Sequence, residues 1–218
     1  MGGPHPFPRL RWLAPAWLAV YLPAYAQAYG FTNFLFLCNL GVILTAVGLW
    51  RGSALLLSAQ AVAAMGVCLA WWLDVGARVL LGHHVLGVTA YMWDPRYPLF
   101  TRLLSLYHVA WPILLVACLR RVGYHRRAYA AQAVFASLVV LASRLVDPAL
   151  NINYAFLDPI FHRAFGPAPI HLAVILLGLV GVIYGVTHRV LAALLPAAPV
   201  EWRSAAEAPP VTSSGRWA

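Results

Sequence analysis

The chain has 218 residues, of which 62% are hydrophobic and only 10% charged, and its mean hydropathy is +0.76. A soluble domain averages about 25% charged residues, so a soluble fold is excluded: too few polar side chains exist to cover its surface. The net charge of +9 comes from 15 basic residues, all arginine and mostly sited where apolar runs end, which is the pattern of headgroup anchoring and orientation in a membrane and not of nucleic-acid binding.

A membrane-spanning helix needs about 20 apolar residues, and seven runs qualify. The first, 12–28, follows Arg9 and Arg11 and contains Ala24-Tyr25-Ala26, the outline of a cleavable signal peptide; Pro15 and Pro23 interrupt it, and it is read as a retained helix. The second, 31–50, starts after Tyr29-Gly30 and carries Asn33, Cys38, Asn39 and Thr45. The third, 53–73, starts after Arg51-Gly52 and stops at Asp74; the fourth, 76–93, holds His83 and His84 and stops at Asp94-Pro95-Arg96. The fifth, 99–119, places Thr101, Ser105, His108 and Pro112 at i, i+4, i+7 and i+11, one helical face. An arginine-rich loop, 120–127, leads to the sixth run, 128–147, and a polar stretch over 147–167 leads to the seventh, 168–194. Residues 196–218 are rich in Ala, Pro and Ser, contain both glutamates, and read as a disordered tail.

The expectation is therefore all-α: a polytopic transmembrane helix bundle over 1–195 with about seven helices, or six if the fourth run is re-entrant, in the cell membrane as a multi-pass protein. The loop 120–127 should face the cytoplasm. Seven spans then strand Arg9 and Arg11 on the opposite side, whereas a re-entrant fourth run brings both ends inward and improves the bias. Charge alone does not choose between them.

Polar side chains inside apolar helices are costly, so each is a functional suspect. His108 lies mid-span and suits a general base, a ligand or a hydrogen-bond strut. Cys38 lies a third of the way into its run; a buried thiol is normally inert, and activation needs a base within reach. Both fall at central depth, so a meeting is geometrically allowed. Cys68 and Cys118 read as packing, and no CxxC pair exists. His83 and His84 point about 100° apart on a regular helix and do not ligate one metal together; a bis-histidine haem would need His84 with His108. Arg144 and Asp147, three apart, suit an ion pair, with Asn151 extending the polar stripe. No GxSxG, HExxH, P-loop or GxGxxG motif is present, and no metal site or cofactor is assigned.

Four segments, in order, resemble the YwaF-like integral membrane proteins, the group related to transmembrane protein 164. Asn33-Phe34-Leu35-Phe36-Leu37-Cys38-Asn39-Leu40 resembles that family's LPLHLCN-type stretch. Asp94-Pro95-Arg96-Tyr97-Pro98-Leu99-Phe100 with Tyr107-His108 is similar to its P…YP-x-F…H segment. Asn151-Ile152-Asn153-Tyr154-Ala155-Phe156-Leu157 resembles its NYMFL stretch, and Gly166-Pro167-Ala168-Pro169 its GPWP start of the last helix. The resemblance covers most of 31–190 and implies a cysteine-dependent acyltransferase acting on glycerophospholipids, with Cys38 as nucleophile and His108 as the activating base. Asn39, Asn151 and Asn153 are then expected to orient the histidine or bind a carbonyl oxygen. The family's polar residue two before the cysteine is Phe36 here, which removes one partner of the thiol.

Three readings stay open on sequence: a membrane acyltransferase with a phospholipid or acyl-chain substrate, a non-catalytic membrane protein that uses the same residues as helix glue, and a haem or metal protein built on His84 and His108. The lipid bilayer is the expected partner; the oligomeric state is not legible.

Overall fold

Glycines and polar caps end the helices where the sequence breaks. In the computed structural model, which describes residues 4–199, α1 (Leu10–Tyr29) runs through Pro15 and Pro23 and ends at Gly30. A 3-10 turn, Phe31–Leu35, precedes α2 (Leu37–Arg51). Gly52 then takes the left-handed conformation (φ 65°), which costs a residue without Cβ little, and the Ser53 amide bonds back to the Gly48 carbonyl at 2.9 Å. The Ser53 hydroxyl caps α3 (Ala54–Leu81) by accepting from the Leu56 amide. After a long loop come α4 (Leu99–Leu104) and α5 (Tyr107–Val122), collinear but for a break at Ser105-Leu106, then α6 (Ala128–Ala142). The last rod joins α7 (Ala168–Leu176), a π-helical stretch Leu177–Tyr184 and α8 (Gly185–Leu194).

These elements make six helical rods with no β-strand among the described residues. Four are long and apolar enough to cross a membrane: Ala54–Leu81, Leu99–Val122, Ala128–Leu145 and Ala168–Leu194. α3 is the central rod, 61% buried over its apolar window against 17% for the last one, and it packs on α2, α5, α6 and α8. The outer faces carry large bare hydrophobics such as Leu80, Leu145, Leu177 and Leu194. Apolar cover on this scale suits lipid and not water.

Seven spans are not formed. The second run is shortened: its first residues go into the 3-10 turn, and α2 itself, at 15 residues, is about 22 Å long at 1.5 Å per residue, less than a hydrocarbon core. The fourth run is neither a span nor a helix of its own. Residues 76–81 complete α3 straight through Asp74, and 82–93 fold back as a loop. Asp74 does not break the helix because its buried carboxylate is fully served: it accepts from the amides of Leu86 (2.7 Å), Gly87 (3.1 Å) and Thr89 (2.9 Å), from the Thr89 hydroxyl (2.6 Å) and from His84 Nδ1 (3.2 Å). A buried carboxylate is tolerated when dipoles replace its water, and here the same bonds knot the loop. The expected Arg144–Asp147 ion pair is also absent. The α-helix stops at Ala142, so the two no longer share a helical face; Arg144 donates to the Ala155 carbonyl and lies over the Phe156 ring, while Asp147 caps the turn at Ala149.

An even number of rods brings both ends to one face. His5 reaches the Trp50 carbonyl (3.0 Å), the His125 amide bonds to Ser58 (2.9 Å), the Tyr124 amide donates to the Pro196 carbonyl and the Ala198 amide to the Tyr124 carbonyl. That face gathers Arg9, Arg11, Arg51, Arg120, Arg121, Arg126, Arg127 and Arg189, with no acid among the described residues. The opposite face holds all four aspartates, Asp74, Asp94, Asp147 and Asp158, beside Arg78, Arg96, Arg102, Arg144 and Arg163. Of the segment expected to be a disordered tail, 196–199 is described, with Pro196 and Ala198 bonded to Tyr124; the remainder lies outside the described residues.

Candidate functional site

A cavity of about 760 Å³ opens between α1, α2, α3, α5, the last rod and the loop over 150–165, within the size range of small-ligand sites. Cys38 and His108 both line it. Its walls are mostly aromatic and aliphatic, and Asp158 is the charged side chain among them. Small residues on α3, Ala63, Gly66 and Ala70, leave room on one side, and Gly178 on the π-helical stretch does so on the other.

Cys38 is the second residue of α2, so it sits where helix amides lack internal partners. The first of these, the Leu37 amide, is capped from across the bundle by Asn153 Oδ1 at 2.9 Å. Asn153 Nδ2 donates to the Leu35 carbonyl (2.8 Å) and to the Ser143 hydroxyl (2.9 Å). One asparagine thus holds the 3-10 turn, the start of α2 and the end of α6 together. It does so from the left-handed region (φ 53°), which asparagine tolerates better than most residues.

Asn39, next in sequence, is a second hub. Its Oδ1 accepts from the hydroxyls of Tyr21 (2.7 Å) and Tyr107 (3.2 Å) and from the Cys38 thiol (3.8 Å), while Nδ2 donates to the Asn33 carbonyl (2.6 Å). The Tyr107 hydroxyl also faces the thiol. Asn151 turns inward on its own loop, taking the Phe156 and Leu157 amides and giving to the Leu157 carbonyl. None of the three asparagines bonds to His108.

His108 is oriented by other groups. Its ring stacks between Trp71 (5.1 Å, 6°) and Tyr107 (4.1 Å, 24°). Nδ1 lies 2.8 Å from the Ser105 carbonyl. A carbonyl only accepts, so Nδ1 carries the proton and Nε2 is left with its lone pair. The break between α4 and α5 exposes that carbonyl to the ring. Pro112, four residues on, has no amide for the His108 carbonyl, and the Trp72 indole supplies the missing donor at 2.9 Å. The face read from sequence is the buried one: Thr101, Ser105, His108 and Pro112 are all buried.

The thiol and the imidazole therefore share one cavity without a hydrogen bond between them; Tyr107 touches both. Tyr107 is the residue that sequence reasoning passed over. So is the ladder Tyr21, Tyr25, Tyr29, whose i, i+4, i+8 spacing puts three hydroxyls on the inner face of α1 and brings Tyr25 to 2.5 Å from Ser105 Oγ. That spacing was visible in the sequence. His84, bound to Asp74 and Thr89, lies outside the cavity lining, and no group of three or more His, Cys, Asp or Glu converges as a metal site among the described residues. Cys68 and Cys118 are buried in packing, as expected.

On the loop over 150–165, Asp158 accepts from the amides of Phe161 (2.7 Å), Ile160 (2.9 Å) and Arg163 (3.0 Å). Burial pushes its pKa up, but these amides outweigh it and hold the carboxyl below its usual value. No family model, curated protein or solved structure matches the chain.

Proposed function

We propose that the protein is an integral membrane acyltransferase in which Cys38 carries the acyl group as a thioester and His108 is the base. The observation that carries this reading is a thiol at a helix start and an imidazole with a free Nε2 lining one 760 Å³ apolar cavity. In the first half-reaction the thiol attacks the ester carbonyl of a membrane lipid. Its proton passes to Nε2, the ester C–O bond breaks, and the leaving alkoxide takes that proton. In the second, Nε2 takes the proton of an acceptor hydroxyl, which attacks the thioester and returns the thiol. Asn39 Oδ1, which accepts from both the thiol and Tyr107, ties Sγ to the side chain that stacks on the base. The four segments that resemble the YwaF-like proteins point to the same two residues.

The charge division supports an orientation in the cell membrane. With the all-arginine face cytoplasmic, the cavity and the aspartate-bearing loops belong to the far leaflet. A second reading has its own support: Asn39, Asn151 and Asn153 spend their hydrogen bonds joining segments, as helix glue would. Labelling the solubilised protein with a lipid-like thiol-reactive probe separates the two. Acyl transfer expects Cys38 to label fastest, with labelling lost in Cys38→Ser and strongly slowed in His108→Ala. A Cys38 no more reactive than Cys68 and Cys118 would sink the acyl-transfer reading and leave the structural one.

A further inference from the structure

On the loop-bearing face the cavity ends among tyrosines. The Tyr29 ring packs at 4.6 Å from Tyr97 and 6.1 Å from Tyr91, and all three line the cavity. Beside them stands Arg102 of α4. Its Nη1 donates to the Met92 carbonyl at 2.9 Å, which fixes the guanidinium and leaves the Nε–Nη2 edge open. Nε is buried without a hydrogen-bond partner, and so is the hydroxyl of Tyr29, which lies within reach of the Arg102 charge.

The neighbouring carboxylate does not fill that vacancy. Asp94 is clasped by Arg96, through Nη2 at 2.6 Å and Nε at 2.9 and 3.0 Å. Asp94 thus bonds Arg96 and leaves the Arg102 guanidinium without a hydrogen-bonded carboxylate. Arg11 also has a buried Nε without a partner, but its guanidinium lies against the Trp12 and Trp50 rings on the opposite face. Arg102 has no such ring. Buried donors left open beside an uncompensated cation call for an anionic acceptor. The open edge of a guanidinium matches two oxygens of a phosphate.

We infer that Arg102 and Tyr29 form a phosphate subsite that holds the headgroup of a lipid whose acyl chain lies in the cavity. This rests on the cavity being the acyl-transfer site. The cavity lining itself carries no arginine, so the chain enters and the phosphate stays outside it, beside Arg102 at the mouth.

The test is direct binding to the full chain in detergent, using a lysophospholipid and a monoacylglycerol with the same fluorescently tagged acyl chain at equal mole fraction. The lysophospholipid should bind about tenfold more tightly, the size of one charge-assisted hydrogen-bonded contact. Arg102→Gln should erase that preference, Arg102→Lys should keep part of it, and Tyr29→Phe should reduce it; continued shielding of Cys68 and Cys118 from a thiol dye reports intact folding. Equal binding in the wild type, or an unchanged preference in both Arg102→Gln and Tyr29→Phe, would overturn the assignment. Displacement by inorganic phosphate as effective as by the lysophospholipid would give the site to a free anion and overturn the headgroup. The readout does not pass through Cys38, so an unreactive thiol refutes acyl transfer and leaves this measurement standing.

Discussion

Asn153→Ala tests whether the site is held by the clamp at the start of α2. The substitution removes three hydrogen bonds, to the Leu37 amide, the Leu35 carbonyl and the Ser143 hydroxyl, all between 2.8 and 2.9 Å. At about 1 kcal/mol net each, their loss comes to about 3 kcal/mol. Alanine at φ 53° and ψ 24° adds about 1 kcal/mol of backbone cost. A domain of this size loses about 2–4 °C of Tm per kcal/mol, so the apparent midpoint should fall by about 8–16 °C. Heating the solubilised protein with a thiol-reactive dye reads this directly, because Cys68 and Cys118 are almost fully buried until the bundle opens. Asn153→Gly adopts the left-handed region freely and isolates the bonds, so it should lose about 3 kcal/mol. Asn153→Asp keeps the acceptor for Leu37 but sets a carboxylate against the Leu35 carbonyl, and should fall between wild type and alanine. A midpoint for Asn153→Ala within about 2 °C of wild type would show that the clamp does not hold the site.

Two further outcomes follow from the cavity wall. The Asp158 carboxyl is held below its usual pKa by the Phe161, Arg163 and Ile160 amides, so its contribution to the loop is complete above the unfolded value of about 3.9 and is lost as pH falls through the lower, folded value. Hydrogen exchange of 159–165, corrected for intrinsic rates, should therefore rise only in strong acid, and Asp158→Asn should show at neutral pH the exchange of the acidified wild type; equal protection in the variant would refute this. Gly41→Ala should destabilise, since its Cβ would lie 2.5 Å from the Trp111 ring, which Thr45 fixes by a 2.9 Å bond. Gly178→Ala, with nothing within 4 Å of its Cβ, should keep the wild-type midpoint, and the reverse ranking in a thermal shift assay would contradict the packing described.

The apolar runs made the four long helices legible, since length and hydropathy are local properties. What they hid was decided by polar groups acting across the bundle. Residues 31–36 carry no Gly, Pro or charge to break a helix, yet the chain stays out of the α-helix there, where Asn39 and Asn153, 6 and 118 residues away from the carbonyls they bind, take Asn33 and Leu35. Asp74 looked like a boundary because charge usually marks one; only the fold supplies the five donors that let a helix carry it through. At the site, Cys38 and His108 were legible as costly polar residues in apolar runs. Their orienting partners were not, because a backbone carbonyl and two aromatic rings leave no polar signature in sequence.

The breaks in the helices also bear on where the cavity lies. On the acyl-transfer proposal, the thiol must stand close below the headgroups, because a lipid ester carbonyl sits at the boundary between headgroup and hydrocarbon. Cys38 is the second residue of α2 because the 3-10 turn and Phe36 (φ -59°, ψ 132°) hold 31–36 out of that helix. His108 is the second residue of α5, after the six-residue α4 and the break at Ser105-Leu106. The irregular backbone at these two breaks thus goes with a cavity that both the thiol and the imidazole line. It is tolerated there because side chains and loop amides satisfy the polar groups it exposes.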